Sequence, residues 1–295
     1  MTLSRKTFTL GSAAALGLPA VRALAQDPPG RTIVRAFASA PFPHPSRAAG
    51  HDYSGNHYGV DRYSDGSVGI FLPPGYRADG PVDYVVHFHG WNNDVTGVLN
   101  RYRLREQLTR SGRNAILVVP QGPKDAPDSG DGKLELDPNG LASLLRDVTA
   151  YLRSAKLIGN REIGRVVLTA HSGGYGGAGG SLARGGMNAH ITDVILFDAA
   201  YGYYEAFASW AKGSSKRHLL SIFTEDTSTG NTALMGMLQT ANPNLYVYLA
   251  KDMTPVKLRS PAPTFVLTTD VAHDELMQKF EWYALFLQAT ALEGV

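Results

Sequence analysis

A serine in a glycine-rich turn is the residue of this 295-residue chain best placed for nucleophilic chemistry. Ser172 lies in the segment Ala-His-Ser-Gly-Gly at 170–174, directly after the apolar run 166–169. The segment matches Gly-x-Ser-x-Gly with alanine at the first position, in the expected order of strand, turn and helix. A serine hydroxyl is a weak nucleophile that becomes reactive when a sharp turn presents it to an imidazole. We therefore predict that Ser172 is a nucleophile.

A late histidine is the predicted base. His273 follows the apolar run 264–267 and precedes a C-terminal helical stretch, and no other histidine occurs after His218. Serine, acid and histidine follow one another in this order along the chain in hydrolases with a strand-turn-helix serine. We therefore predict that His273 accepts the proton of Ser172.

Two aspartates are candidates for the acid that orients this imidazole. Asp198 ends the apolar run 194–197, and Asp226 follows the next apolar run, 218–223. The acid must hold the imidazole in one tautomer and stabilise its charged form. Either position satisfies this requirement, so the residues alone leave both aspartates open.

A histidine-glycine turn predicts the site for a developing negative charge. The segment Phe-His-Gly-Trp-Asn-Asn-Asp at 88–94 ends an earlier strand. An oxyanion hole needs two backbone amides, one of which belongs to the residue after the nucleophile. We assign the two amides to Trp91 and Gly173, with Gly90 or Asn92 as alternatives to Trp91.

The same turn permits a competing interpretation as a metal site. His87 and His89 have the spacing that places two side chains on one face of a strand, and Asp94 follows nearby. A hydrolytic metal centre needs further histidine or carboxylate ligands. We therefore predict that the protein uses no metal and no cofactor, and that His87 is a hydrogen-bonded core residue.

Alternating strands and helices must position these residues. The predicted strands are 32–38, 68–72, 84–88, 115–119, 165–169, 193–197, 218–223 and 264–267, the predicted helices are 95–110, 141–153 and 204–211, and 26–60 and 123–138 are predicted to be mostly loop. This alternation predicts an α/β protein with a mostly parallel central sheet and helices on both faces. Active sites in such sheets lie at the carboxyl ends of the strands.

Composition excludes several classes of function. Hydrophobic residues make up 43% and charged residues 18% of the chain, as in ordinary globular proteins. The absence of cysteine excludes disulfides and thiolate metal sites. Beyond residue 25 there is no block of five like charges and no apolar run near 18 residues. We expect neither a nucleic-acid partner nor a stable membrane span, and the sequence indicates no oligomeric state.

The first 25 residues have the character of an export signal. A charged start at Arg5 and Lys6 precedes an apolar run and the triplet Ala-Leu-Ala at 23–25. The start resembles a twin-arginine signal with lysine in place of the second arginine. Removing residues 1–25 takes three of the 28 basic residues and none of the 26 acidic ones, which leaves a formal charge of −1. We predict a signal peptide at 1–25, export to the periplasm or outside the cell, and a single domain at 26–295.

Together these motifs resemble the α/β-hydrolase superfamily and its secreted esterases and lipases. Leu-Pro-Pro-Gly-Tyr at 72–76 is similar to feruloyl esterases and polyhydroxyalkanoate depolymerases. His-Gly-Trp at 89–91, with Leu-Phe-Asp-Ala-Ala at 196–200, is similar to pancreatic-type lipases. The lipase resemblance implies Asp198 as the acid, whereas the commoner superfamily pattern implies Asp226. The sequence departs from these families at Ala170 and in having no recognisable lipase lid or disulfide.

The resemblance implies a carboxylic ester hydrolase that forms an acyl-enzyme on Ser172 and acts on small-molecule or polymeric esters. One alternative is a dinucleotide-binding protein, because 174–179 also fits Gly-x-Gly-x-x-Gly and Asp198 ends the following strand. The other is a non-catalytic binding module on a hydrolase fold. These three functions require different roles for the same turn.

Overall fold

The computed structural model describes residues 29–239, 245–260 and 262–295. The predicted signal peptide at 1–25 lies outside these residues. The strands are β1 Arg31–Ala36, β2 His51–Tyr53, β3 Asn56–Tyr58, β4 Ser67–Leu72, β5 Val82–Phe88, β6 Ile116–Pro120, β7 Ile163–His171, β8 Ile191–Phe197, β9 His218–Phe223, β10 Tyr246–Leu249 and β11 Thr264–Leu267. The helices are α1 Val95–Arg101, α2 Leu104–Ser111, α3 Gly132–Leu136, α4 Gly140–Ser154, α5 Tyr175–Arg184, α6 Tyr204–Lys212, α7 Ser228–Gln239, α8 Pro255–Leu258 and α9 Trp282–Leu287.

Nine strands form one sheet in the order β1-β4-β6-β5-β7-β8-β9-β11-β10. The pairs β1 with β4 and β4 with β6 are antiparallel, and every pair from β6 to β10 is parallel. The prediction of a mostly parallel sheet is confirmed. Because the strands from β5 to β11 run in one direction, the residues that follow them meet along one edge.

Two hydrophobic clusters cover the two faces of this sheet. Successive strand residues point to opposite faces, so Val166 and Leu168 belong to one cluster and Val167, between them, belongs to the other. Helices α4 to α7 contribute apolar side chains to the first cluster, while α1, α2 and α9 contribute to the second. The predicted arrangement of helices on both faces is therefore confirmed.

The single helix predicted at 95–110 is wrong, because the structure has α1 and α2 with a break between them. Arg103, between α1 and α2, adopts a left-handed conformation with a φ of 51°, which an α-helix cannot contain. The side-chain amide of Gln107 donates a 2.8 Å hydrogen bond to the carbonyl of Tyr102, which satisfies an acceptor at the break. Polar periodicity across 95–110 does not reveal such a change of direction.

Two segments predicted to be mostly loop contain regular structure. Residues 26–60 include the β2-β3 hairpin, whose turn residues Ser54 and Gly55 have φ values of 49° and 77°, as a tight hairpin turn requires. Residues 123–138 include α3, whose Leu134 is fully buried. Both elements are too short for a hydrophobic period to appear in the sequence. None of the described helices has the length and apolarity that a membrane crossing requires.

Candidate active site

Ser172 lies at the sharp turn between β7 and α5. It begins a short 3-10 helix, and its φ of 52° is a left-handed conformation that a residue with a side chain rarely adopts. A Cβ atom placed on Gly174 would lie 2.2 Å from the carbonyl oxygen of Phe88, so only glycine permits this approach of the turn to β5. The local backbone is therefore strained, as at many functional sites, and projects the serine from the sheet edge.

His273 joins Ser172 and Asp198 in one hydrogen-bonded chain. Its Nε2 lies 2.8 Å from Ser172 Oγ, and its Nδ1 lies 2.8 Å from Asp198 Oδ2. A carboxylate can only accept, so Nδ1 carries the proton and Nε2 accepts from the serine hydroxyl. This tautomer allows the imidazole to receive the hydroxyl proton. The structure thus brings together the predicted nucleophile, the predicted base and the first of the two candidate acids.

Asp198 is buried in a cradle of hydroxyl and amide donors that follows β9. Its carboxylate accepts a 3.0 Å bond from the Thr224 N–H, a 2.5 Å bond from the Thr224 hydroxyl and a further bond from the Thr227 hydroxyl. Asp226 belongs to the same turn, but its backbone N–H donates to Thr224 Oγ1 and its carboxylate makes no hydrogen bond to His273 in the described residues. The second candidate acid is therefore part of the loop that holds the first.

The surroundings of Asp198 and His273 favour the charged form of each side chain. Burial opposes ionisation of Asp198, but the hydrogen bonds from His273, Thr224 and Thr227 outweigh it and lower the pKa of the carboxyl group. Burial also opposes protonation of His273, but the hydrogen bond and charge of Asp198, with Asp274 and Asp226, raise the pKa of the imidazole above its ordinary value. The site therefore stabilises an imidazolium next to an ionised carboxylate.

The turn at 88–94 lies directly against the serine. A Cβ atom placed on Gly90 would lie 2.6 Å from Ser172 Cβ. The Asn92 N–H donates a 3.0 Å bond to the Ala126 carbonyl, so it is committed elsewhere. In the described part of the chain no acceptor engages the N–H of Gly90 or Trp91. Gly173 lies in the first turn of the 3-10 helix, where N–H groups have no partner within the helix. Gly90, Trp91 and Gly173 therefore retain amides that could bind an anion.

Known proteins resemble this chain in three dimensions. No family model and no curated protein matches its sequence. The feruloyl esterase module from Clostridium thermocellum aligns over 88% of this chain and 87% of its own, with 11% identity and a TM-score of 0.55. The fluorophosphonate-binding serine hydrolase F of Staphylococcus aureus aligns over 88% and 99%, with 12% identity and a TM-score of 0.51. The ferulic acid esterase of Anaeromyces mucronatus aligns over 88% and 91%, with 15% identity and a TM-score of 0.50. This chain has the α/β-hydrolase fold.

Two clefts meet at Ser172 on this α/β-hydrolase fold. One has a volume of about 320 Å³ and is lined mainly by aromatic rings, those of Trp91, Tyr175 and Tyr201, with Ser129 at its side. The other has a volume of about 330 Å³ and is mostly polar; its lining includes Asn92, Asn93, Arg101, Asp274 and Gln278. Trp91, Ser172 and His273 line both clefts. A molecule bound across the serine would therefore place chemically different parts on its two sides.

The indole of Trp91 is held in place between these clefts. Its Nε1 donates a 2.7 Å hydrogen bond to Ser129 Oγ, and its ring packs edge-on against Tyr53 with centroids 5.0 Å apart. A Cβ atom on Gly173 would lie 2.5 Å from Trp91 Cδ1, so the ring also covers the residue after the serine. The β2-β3 hairpin therefore takes part in shaping the site.

The glycines at 174–179 pack against protein atoms and belong to the serine turn and α5. A Cβ atom on Gly176 would lie 2.2 Å from the Ser129 carbonyl oxygen, and one on Gly179 would lie 2.3 Å from the ring of Tyr203. A phosphate loop instead leaves its glycine backbone open to the ligand. Close packing of α5 explains these glycines. They do not form the open backbone loop that a dinucleotide phosphate would need.

The histidines considered as metal ligands bond within the protein. His87 is fully buried beside Thr169 Oγ1 at 2.9 Å, as expected for a core residue. His89 Nε2 accepts from the Gly122 N–H, and Asp94 caps α1 by accepting from the Gly97 N–H. Within the described ranges, the only clustered set of metal-ligating residue types is Asp198, Asp226 and His273. Two of its members already bind one another through a hydrogen bond.

Several residues of the site escaped sequence analysis. Thr224 and Thr227 hold Asp198, His171 contacts His273, and Ser129 and Tyr175 line a cleft. The pattern Thr-x-x-Thr directly after a strand is a signal for the cradle, because two hydroxyls then face the same turn. The cleft residues come from separate loops and share no spacing.

Proposed function

We propose that this protein is a serine hydrolase that cleaves carboxylic esters through an acyl-enzyme on Ser172. The observation that carries the proposal is the chain of two 2.8 Å hydrogen bonds from Ser172 to His273 and from His273 to Asp198. In this assignment Ser172 is the nucleophile, His273 is the general base and acid, and Asp198 orients and stabilises the imidazole.

The first half of the reaction transfers the acyl group to the serine. His273 Nε2 takes the hydroxyl proton as Ser172 Oγ bonds to the ester carbonyl carbon, and the carbonyl π electrons move to oxygen. The amides of Trp91 and Gly173 hold the oxyanion, with Gly90 as the alternative to Trp91. Collapse of this intermediate breaks the bond to the alcohol oxygen, which takes the proton from the imidazolium. The products are an alcohol and the acyl-enzyme.

The second half returns the serine to its starting state. His273 accepts a proton from water, and the resulting hydroxide oxygen bonds to the acyl carbon. The intermediate breaks its bond to Ser172 Oγ, which recovers a proton from the imidazolium, and the carboxylic acid leaves. Buried Asp198 supplies the negative charge that stabilises the imidazolium in both halves.

The two clefts support a class of substrate. The cleft of Trp91, Tyr175 and Tyr201 suits a planar or apolar group, because aromatic rings stack on such surfaces. The cleft with Arg101, Asn93 and Gln278 suits a hydroxylated or otherwise polar group. We infer an ester that joins one part of each kind, either as a small molecule or at the surface of a polymer. Two of the structures with this fold are described as feruloyl or ferulic acid esterases, which agrees with this inference.

A fluorophosphonate probe tests the central assignment, because it labels an activated serine covalently. We expect the wild type to be labelled and to hydrolyse p-nitrophenyl and feruloyl esters, and Ser172→Ala to lose both properties. Ser209→Ala, which changes an exposed serine of α6, is the matched control and should behave as wild type. Labelling of Ser172→Ala at the wild-type rate would refute the proposal. Binding of a dinucleotide by unlabelled wild type would favour the dinucleotide alternative, and a folded but unreactive wild type would favour a binding module.

We further propose that the chain is exported and that residues 26–295 act as one domain after removal of residues 1–25. The apolar leader and its Ala-Leu-Ala ending support the assignment. Expression of the full chain should yield periplasmic or secreted protein that begins at Gln26. N-terminal sequencing checks this, and a cytoplasmic chain that retains residues 1–25 would contradict it. Blocking the twin-arginine route should prevent export if that route is used.

A further inference from the structure

We propose that His171 is a positioning residue that fixes the main chain and the ring of His273. His171 precedes the serine as the last residue of β7, and the reaction proposed above gives it no role. The expected effect of His171 on the reaction rate rests on the proposed function. The effect of His171 on the position and pKa of His273 can be measured without any reaction.

His171 contacts His273 in two ways. The two rings stack with centroids 5.1 Å apart and an interplanar angle of 27°. His171 Nε2 also lies 3.3 Å from the main-chain carbonyl oxygen of His273. Since a carbonyl can only accept, the ring proton of His171 is on Nε2, which donates this hydrogen bond. One side chain therefore supports both the ring plane and the backbone of the base.

The main chain around His273 has few other attachments. Thr268 is tied to β9 by a 2.9 Å bond from its N–H to the Phe223 carbonyl. From 269 to 275, the main-chain hydrogen bonds in the described residues stay within the segment 268–279, except for the one that His171 donates. The base thus sits on a loop that His171 anchors to the strand carrying the serine.

His171 is itself held rigidly. It is 2% exposed, and the ring of Tyr102 packs against it edge-on at 5.4 Å. Asn93 Nδ2 donates a 3.3 Å bond to Tyr102 Oη and a 2.7 Å bond to the Trp91 carbonyl. Contacts through Tyr102 and Asn93 therefore connect His171 to the turn at 88–94, whose amides are proposed to bind the oxyanion.

The surroundings keep His171 uncharged when the base is working. Burial, and then the neighbouring charge of protonated His273, lower the pKa of His171 to about 4, although the hydrogen bond to the His273 carbonyl and the charges of Asp198 and Asp274 oppose the shift. Tyr102, the remaining titratable ring in contact, has a pKa raised by burial and stays neutral. His171 Nδ1 has no partner in the described part of the chain, which fits a neutral tautomer whose work is done by Nε2. A neutral donor can stack on His273 without opposing the imidazolium.

Three substitutions separate the two contacts. His171→Gln keeps an N–H donor at a similar reach but removes the ring, His171→Phe keeps a ring but removes the donor, and His171→Leu removes both. The reaction is followed as kcat and KM per fluorophosphonate-labelled site, so misfolded protein is not counted. The pKa of the His273 ring is followed by NMR titration of ¹⁵N-histidine-labelled protein, with His273→Asn used to assign its signals.

We expect His171→Leu and His171→Phe to lower kcat by about 10- to 100-fold with KM little changed, because small displacements of a reacting group are costly. His171→Gln should recover a large part of this loss. In the Leu and Phe variants a looser bond to Asp198 should lower the pKa of His273 toward its ordinary value. A structural role alone would lower the melting temperature or the labelled fraction and leave both readouts unchanged.

Unchanged kcat per site and an unchanged His273 pKa in His171→Leu and His171→Phe would overturn the inference. Should one of these two variants fail to fold, the other is the deciding variant, because both lack the donor that binds the His273 carbonyl. A wild type that cleaves no ester would refute the proposed function, yet the NMR titration would still decide whether His171 positions His273. The two failures are thus distinguishable.

Discussion

Asp198 Oδ2 lies 2.8 Å from the Nδ1 of His273, although Asp198 has no exposed surface. A buried carboxylate is costly unless donors surround it. Here the donors are His273, the N–H and hydroxyl of Thr224, and the hydroxyl of Thr227. Asp198 follows β8, and the donors on the loop after β9 thus offset the cost of burying its negative charge.

Asparagine at position 198 should disable the proposed base. An amide can donate to His273 Nδ1 and so favour the tautomer that cannot accept the Ser172 proton, which we expect to lower kcat by about 10³- to 10⁴-fold. Asp226→Asn should change kcat by less than about threefold, because Asp226 lacks a hydrogen bond to His273. The two variants are compared by their steady-state rates on one p-nitrophenyl ester. Equal losses of kcat in both would contradict the assignment of Asp198 as the acid.

Activity should fall on the acid side as His273 becomes protonated. Only neutral His273 can act as a base, and its pKa is raised above the ordinary 6.5. The rate therefore decreases as pH falls through this raised pKa, and the acid limb of kcat/KM has its midpoint above 6.5. Asp274→Asn should move this midpoint to lower pH, because Asp274 contributes to the increase. A pH-rate profile measures both, and a midpoint below 6.5 in the wild type would contradict the assignment.

Trp91 should determine the preference for aromatic groups. Trp91→Ala removes a wall of the aromatic cleft but keeps the backbone amide, so we expect kcat/KM for feruloyl esters to fall by about tenfold or more. Hydrolysis of ethyl acetate should change less than about threefold, since it has no aromatic ring to stack in the cleft. Tyr246→Ala, on the exposed edge strand β10, is the control. A proportional loss on both esters would indicate a general structural defect instead.

Glycine in α5 should be required by packing. Gly176→Ala would place a Cβ atom 2.2 Å from the Ser129 carbonyl oxygen, and overpacking of this kind destabilises proteins by about 1–3 kcal/mol. Gly236 is an exposed residue of α7, and a Cβ atom placed on it would meet no atom within 4 Å beyond its neighbouring residues and the nearby backbone of its own helix. Gly236→Ala should therefore stabilise the protein by about 0.5–1 kcal/mol. Urea unfolding of the two variants measures the difference. Equal stability would show that the α5 glycines serve another purpose.

Sequence reasoning was reliable where the signal is local. Alternating apolar segments predicted the α/β sheet, because burial on both faces demands continuous apolar strands. It was unreliable at 95–110 and 123–138, where a left-handed residue at Arg103 and a five-residue helix leave no period to detect. The resemblance to secreted esterases and lipases led to the right fold, although matching structures share only 11–15% identity.

The sequence by itself determined the residue types at the strand ends, the serine turn and the single late histidine. It could not distinguish Asp198 from Asp226, since both follow neighbouring strands and both could reach the same edge. The tertiary structure decided this contact by folding the Thr224 and Thr227 hydroxyls around Asp198. It also placed His171 under His273 and Trp91 between two clefts. Local periodicity records which face a residue buries, whereas such contacts depend on how distant loops pack together.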